Sequence, residues 1–394
     1  LHDVNDAGLC YLDHAASTPM REAALAAMMP HLTESYANPT GSHRFARTAR
    51  EAIDEARDTV AAVVGCKPGE VVFTGGGTES DNMALYGAAL ADAARPRLVC
   101  PATEHHAVLQ TVERHAGTVI ATDGSARVDV DALVDALDDD VAAVSVMAVN
   151  NEVGSINDLA AVAAATAEHA PGALVHSDAI QATSWLDLRN VWPHTDLLSL
   201  SGHKFGGPKG VGALIVRTGR VLTPLLVGGG QERERRSGTH NVAGIAGLAA
   251  AIVEADAERS DTVSRVAALR NRLVDGLAAG LDDIHETVGR DQKVAGSAHV
   301  CFGGVENESL LYLLDRAGVC ASAASSCASG AISVSHVLTA MGVAPEWARG
   351  AVRMTLGRTT TVADVDRAVD VATDAVATLR ARTGARSAER ASAP

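Results

Sequence analysis

Val71-Val72-Phe73-Thr74-Gly75-Gly76-Gly77-Thr78-Glu79-Ser80 is a short apolar run stopped by three glycines and followed at once by helical spacing. The β-branched start predicts a strand over 71–73, the glycines a tight turn, and the remainder a helix start. The same phrasing recurs on either side. Upstream, 44–64 sets Phe45, Ala49, Ile53, Ala56, Val60 and Val63 three or four residues apart, the period of a buried helix face. Downstream, 98–100, 118–121, 141–149 and 173–176 read as strands, separated by helical segments over 106–115, 129–137 and 157–169. Strands over 197–200 and 210–216 follow close together and form the far part of the sheet. Strands alternating with helices imply an α/β fold: a mainly parallel sheet flanked by helices, with ligands bound beyond the carboxyl ends of its strands.

A long charged helix over 246–281 leads out of that unit. Short strands (298–302, 352–356) and helices (308–317, 362–380) then suggest a smaller α+β domain. The expected division is a large domain over 16–257, a small one from 1–15 and 258–382, and a solvated Ala/Ser/Arg-rich tail over 383–394. Aromatic residues make up 3% of the 394 residues, so Ala, Val and Leu must build the core. The net charge of −15 argues against a broad footprint for nucleic acid or anionic membrane. No signal-peptide pattern or run of 18 apolar residues is present, so a soluble cytoplasmic protein is expected. Cys10, Cys66, Cys100 and Cys301 sit in or beside apolar stretches and read as buried small hydrophobes, in keeping with reduced thiols.

Polar residues cluster at the expected strand ends. The glycines at 75–77, with Thr78 and Ser80, suit an anion held at a helix N-terminus, or simply a tight turn. Asp178 follows an apolar strand; it can face a protonated pyridine nitrogen or cap the next helix. Ser201-Gly202-His203-Lys204-Phe205-Gly206-Gly207-Pro208 places a lysine just past a strand, where glycines and proline forbid a regular helix. A confined lysine of this kind suits Schiff-base chemistry, with Ser201 and His203 flanking a phosphate, whereas Lys209 reads as a surface group. His105 can stack on a planar cofactor and shuttle protons, while His106 reads as a helix start. Asn151 can bond a ring hydroxyl or the substrate. Gly228 to Thr239 offers either a phosphate contact or a surface hinge. No third or fourth ligand stands at useful spacing, so no metal site is expected. Cys327, among small residues in Ala323-Ala324-Ser325-Ser326-Cys327-Ala328-Ser329-Gly330, has little to bury and suits an exposed thiol carrier; Cys320 reads as structural. Arg353, a cation in an apolar strand, needs an anion: a substrate carboxylate or a structural partner.

Together these stretches resemble the cysteine desulfurases, in the class V aminotransferase group of fold-type I pyridoxal enzymes. The resemblance runs from Tyr11-Leu12-Asp13-His14-Ala15-Ala16-Ser17-Thr18-Pro19 to Leu356-Gly357-Arg358. It includes Asn38-Pro39 with Ser42-His43, Thr78-Glu79-Ser80-Asp81-Asn82, Asn150-Asn151-Glu152 and Ser201-Gly202-His203-Lys204. It implies pyridoxal 5'-phosphate carried on Lys204, His105 stacked over the ring as acid and base, and Asp178 at the ring nitrogen. Gln181 and Asn151 would approach the ring hydroxyl or substrate. Gly77, Thr78, Ser201 and His203 would bind the phosphate, with Thr239 of a neighbouring subunit, which implies a homodimer with shared active sites. Arg353 would hold the carboxylate of L-cysteine, with Asn38 and Asn151 on the substrate side, and Cys327 would carry the persulfide to an acceptor protein. Iron–sulfur assembly, tRNA thiolation and DNA phosphorothioation are the destinations the family suggests, reached through a protein rather than by direct nucleic-acid binding. Selenocysteine lyases and aminotransferases are the rival activities on the same fold. Two departures stand out: Gly77 occupies a position where many relatives have Ala, and Ala324-Ser325-Ser326-Cys327 lacks the glycine of the common Gly-Ser-Ala-Cys.

Overall fold

A computed structural model describes residues 8–323 and 334–391. After the short β1 (Cys10–Tyr11), the chain lays down β2 (Val71–Thr74), β3 (Arg97–Pro101), β4 (Thr118–Ile120) and β5 (Val141–Ser145). β6 (Leu174–Asp178), β7 (Leu197–Ser201) and β8 (Gly212–Val216) complete a seven-stranded sheet in the order β2-β8-β7-β6-β5-β3-β4. Only β8 runs against its neighbours; β2 and β7, both antiparallel to it, point the same way as the rest. The expected mainly parallel α/β sheet is therefore present. Strands β2, β5, β7 and β8 are buried along their length, as befits a sheet covered on both faces, while the edge strand β4 is partly exposed.

The chain's remainder supplies β9 (Ile284–Glu286), β10 (Ser297–Phe302), β11 (Val319–Cys320) and β12 (Ala351–Thr355). β12, β10 and β9 form an antiparallel sheet, and β1 pairs in parallel with β11. The two largest apolar clusters lie one around the large sheet and one around β10 and β12. The helix Val242–Gly280 serves both: Ile245, Leu248 and Ile252 pack into the first, Leu269, Leu273 and Leu277 into the second. Among the described residues no helix is long and apolar enough to cross a membrane.

The helix Arg44–Val64 has the expected bounds, ended by Gly65 in the left-handed conformation. Other expectations need correction. The strand over 141–149 stops at Ser145, because the Met147 amide donates to Glu104 Oε1 (2.6 Å) instead of to the sheet. The helix expected from 157 starts at Leu159; Asn157 instead bonds Val128 N and Met147 O, both at 2.8 Å, and Asp158 caps. Cys66 is only partly buried. The last helix runs from Val362 to Ala391, into the stretch read as a tail; alanine and arginine favour helix, and residues 362–391 contain no proline.

Candidate active site

Five turns at the carboxyl ends of β2, β3, β5, β6 and β7 face one cavity of about 600 Å³. They bring together Gly77, Thr78, His105, Asn151, Asp178, Gln181, Ser201, His203 and Lys204, and Arg353 enters from β12. At the first turn Gly76 takes φ 147°, a conformation that favours glycine, and opens the helix Gly77–Ala91 toward the cavity. A Cβ built on Gly77 would lie 2.1 Å from Ile180 Cδ1, so the turn approaches the opposite wall more closely than an alanine allows without moving Ile180.

Lys204 ends a single 3-10 turn after β7, and its Nζ donates to Ala15 O (2.7 Å) and Ala16 O (3.0 Å). Burial, with Arg353 nearby, lowers its pKa to about 8. His105 caps the helix His106–Arg114 by accepting from Ala107 N (3.1 Å) and also lines the cavity. Burial and Lys204 lower His105 to about 4, so its imidazole is neutral at pH 7. Asp178 closes β6 and accepts from Ile180 N (2.9 Å); it caps no helix, for the next one, Leu188–Val191, is capped by Asp187. Burial raises Asp178 to about 6, the signature of a carboxylate in need of a cation. Gln181 Nε2 donates to Ala15 O (2.8 Å).

Of the two partners foreseen for Arg353 the structure has the structural one, Asp13, and the side chain also lines the cavity. Two further residues of the list lie apart. Asn38 is exposed and is not among the cavity residues of this chain; its Oδ1 is taken by Thr40 N and Oγ1. Thr239 is likewise exposed and outside the cavity. Cys327 lies outside the described residues; Ala321, Ser322 and Ala323, just before it in sequence, line the cavity.

Residue reading missed Asp81. It is wholly buried on the cavity wall, with the Ser199 hydroxyl beside it and His176 Nε2 3.6 Å away. His176 bonds Ser145 and Ser199, and burial lowers it to about 3, so the contact is no ion pair. Burial and the nearby Asp178 raise Asp81 well above the usual carboxylate range. The available signal was a carboxylate one turn into an apolar helix face.

The class-V aminotransferase family model matches residues 10–368. An IscS-like cysteine desulfurase of Mycobacterium tuberculosis is 45% identical, the match covering 98% of this chain and 100% of that one. The chain belongs to the cysteine desulfurases. Among solved structures, a NifS-like protein superposes with a TM-score of 0.88 at 33% identity, covering 94% of this chain and all of its own. A structure described as SspA in complex with cysteine gives 0.77 at 30% identity, covering 89% and 99%. This desulfurase is thus a pyridoxal-phosphate enzyme that converts L-cysteine to L-alanine with transfer of the sulfur. The cavity fits the cofactor. It offers an amine of lowered pKa, a buried carboxylate short of a cation, and backbone amides at a glycine-opened helix N-terminus for a phosphate.

Proposed function

We propose that the sulfur passes onto Cys327 as a persulfide and from there to an acceptor protein. The convergence of Lys204, Asp178, His105 and Arg353 on one cavity, beside the stretch leading to Cys327, supports this most directly. The other cysteines add to it. None of the five described ones lines the cavity, and burial pushes Cys10, Cys66 and Cys301 up to about 12. Such thiols are protonated at neutral pH and poor nucleophiles.

Bound pyridoxal phosphate withdraws electrons from the substrate's α-carbon and makes the C–S bond breakable. Lys204 would hold the cofactor's aldehyde and move the α-proton, with neutral His105 able to accept and return it. Asp178 would face the ring nitrogen, whose positive charge would draw the carboxyl back down. Gly77, Thr78, Ser201 and His203 would take the phosphate, Asn151 and Gln181 the ring hydroxyl or substrate, and Arg353 the substrate carboxylate. Thr239, exposed outside this chain's cavity, fits a homodimer in which each copy completes the other's phosphate site. The Cys327 thiolate attacks the substrate sulfur. An S–S bond replaces the S–C bond, the electron pair of the latter stays on carbon, and a proton completes alanine; cysteine plus thiol becomes alanine plus persulfide. An iron–sulfur scaffold is the first acceptor to test, with tRNA-thiolation and DNA-phosphorothioation proteins next.

Wild type given L-cysteine and a reductant should release sulfide and alanine one to one. Cys327→Ala should lose turnover by about 10²-fold or more, the usual scale for a missing reacting group, while keeping the cofactor's absorption. Wild-type turnover by that variant would move the case to selenocysteine lyase or aminotransferase chemistry. A pH profile checks Lys204 separately. Its lowered pKa of about 8 makes the neutral amine increasingly available as pH rises through 8. The rate at which stripped enzyme captures the cofactor should therefore climb up to about pH 8 and then flatten. A rate still climbing toward pH 10, as for an ordinary lysine, would contradict this.

A further inference from the structure

The segment Tyr11 to Ser17 touches four of the site's polar residues at once: Lys204, Gln181, Arg353 and, through Ser17 Oγ at 3.4 Å, His203. It runs beside β12, with Thr355 N donating to Leu12 O (2.7 Å), Ala15 N to Thr355 Oγ1 (2.9 Å), and Asp13 bridged in parallel to Thr355. Its Ala15 and Ala16 carbonyls hold Lys204, Ala15 O also takes Gln181, and the Asp13 carboxylate reaches Arg353.

Arg353 is only 5% exposed. One terminal nitrogen donates to Asn151 O (2.7 Å) and the other to Asp13 Oδ1 (2.8 Å). Nε is buried with no hydrogen-bond partner among the described residues. A guanidinium has five N–H groups, so one on each terminal nitrogen remains beyond these two bonds. A carboxylate recognised by a planar fork needs that plane held at a fixed angle. Asn151 O alone would leave it free to turn about one bond; Asp13 supplies the second fixed point. The Asp13 charge also acts on Lys204, where it partly offsets that of Arg353.

We propose that Asp13 is the positioning residue of Arg353, fixing the guanidinium so that it takes the carboxylate of an amino-acid substrate. The proposal rests on the reading of Arg353 as the carboxylate-binding residue. Asp13→Ala should raise KM for L-cysteine by about tenfold or more, as misplacement of a positioning group does, with kcat changed less than about threefold. Asp13→Asn keeps an acceptor oxygen at the same place and should restore KM to within about threefold of wild type.

Binding gives a readout apart from turnover. L-alanine and ethylamine, which differ by the carboxylate, are titrated against the holoenzyme and followed by the cofactor's absorption. Wild type and Asp13→Asn should prefer L-alanine, and Asp13→Ala should lose that preference with ethylamine binding unchanged. If Asp13→Ala does not fold, Asp13→Ser, whose hydroxyl falls short of the guanidinium, carries the same expectation. Arg353→Ala separates the two claims. If it keeps the preference for L-alanine, the underlying reading of Arg353 fails. If it loses the preference while the Asp13 variant keeps it, Asp13 alone is overturned.

Discussion

Lys204→Ala should abolish turnover of L-cysteine, with a fall of about 10³-fold or more, and should leave no cofactor fixed to the protein after borohydride reduction. The expectation follows from where the other lysines lie. Lys67 and Lys209 are exposed, and Lys293 is buried against Glu286 at 2.7 Å. Lys204 alone of the four lines the cavity. Its amine is aimed by two backbone carbonyls and has a pKa lowered to about 8. Lys204→Arg keeps a cation there but no amine able to condense with an aldehyde, so it should be equally inactive. Borohydride-fixed cofactor in Lys204→Ala would place the attachment on another lysine and overturn the site as drawn.

Glu232→Ala should destabilise the fold by about 3–5 kcal/mol, the range for removing one partner of a buried ion pair. The Glu232 side chain, 1% exposed, takes both terminal nitrogens of Arg57 (2.7 and 2.8 Å), the Phe73 amide (3.0 Å) and His240 Nε2 (2.7 Å). Burial pushes its carboxyl up, but the bonds from His240 and Arg57 pull it down further, to about 2. Its charged form is thus favoured in the folded state, and the stability it contributes is present above the ordinary glutamate pKa and lost as pH falls toward 2. The carboxylate also holds a strained segment: Glu232, Arg233 and Glu234 have φ of 50°, 58° and 65°. Left-handed backbone at non-glycine residues costs about 1–3 kcal/mol each. Denaturant unfolding of wild type, Glu232→Ala and Glu232→Gln measures the loss; a change below about 1 kcal/mol in the alanine variant would show that the network does not hold this segment. Because Thr239 follows in the same loop, cofactor retention should weaken alongside stability.

The fold was legible because its strands are short β-branched and aliphatic runs and its helices keep a clean three-to-four spacing, as over Arg44–Val64. The site was legible wherever a polar motif interrupts such a run at its carboxyl end, as at Lys204 and Asp178. What could not be read depends on contacts far along the chain. Strand β5 ends early because of Glu104, more than forty residues away, and Arg353 pairs with Asp13 across 340 positions. Asp81 looks like any acidic residue in a helix's first turns until the fold closes over it. Asn38 had its place from resemblance alone, and the structure commits its side-chain oxygen to Thr40.

The most direct measurement is the mass of the enzyme after one turnover with L-cysteine in the absence of reductant, mapped to the peptide that carries Cys327. The expected result is a gain of one sulfur atom on that peptide, matched by one alanine released and absent from Cys327→Ala. Alanine formed with no sulfur retained on Cys327, or the added sulfur found on another cysteine, would contradict it.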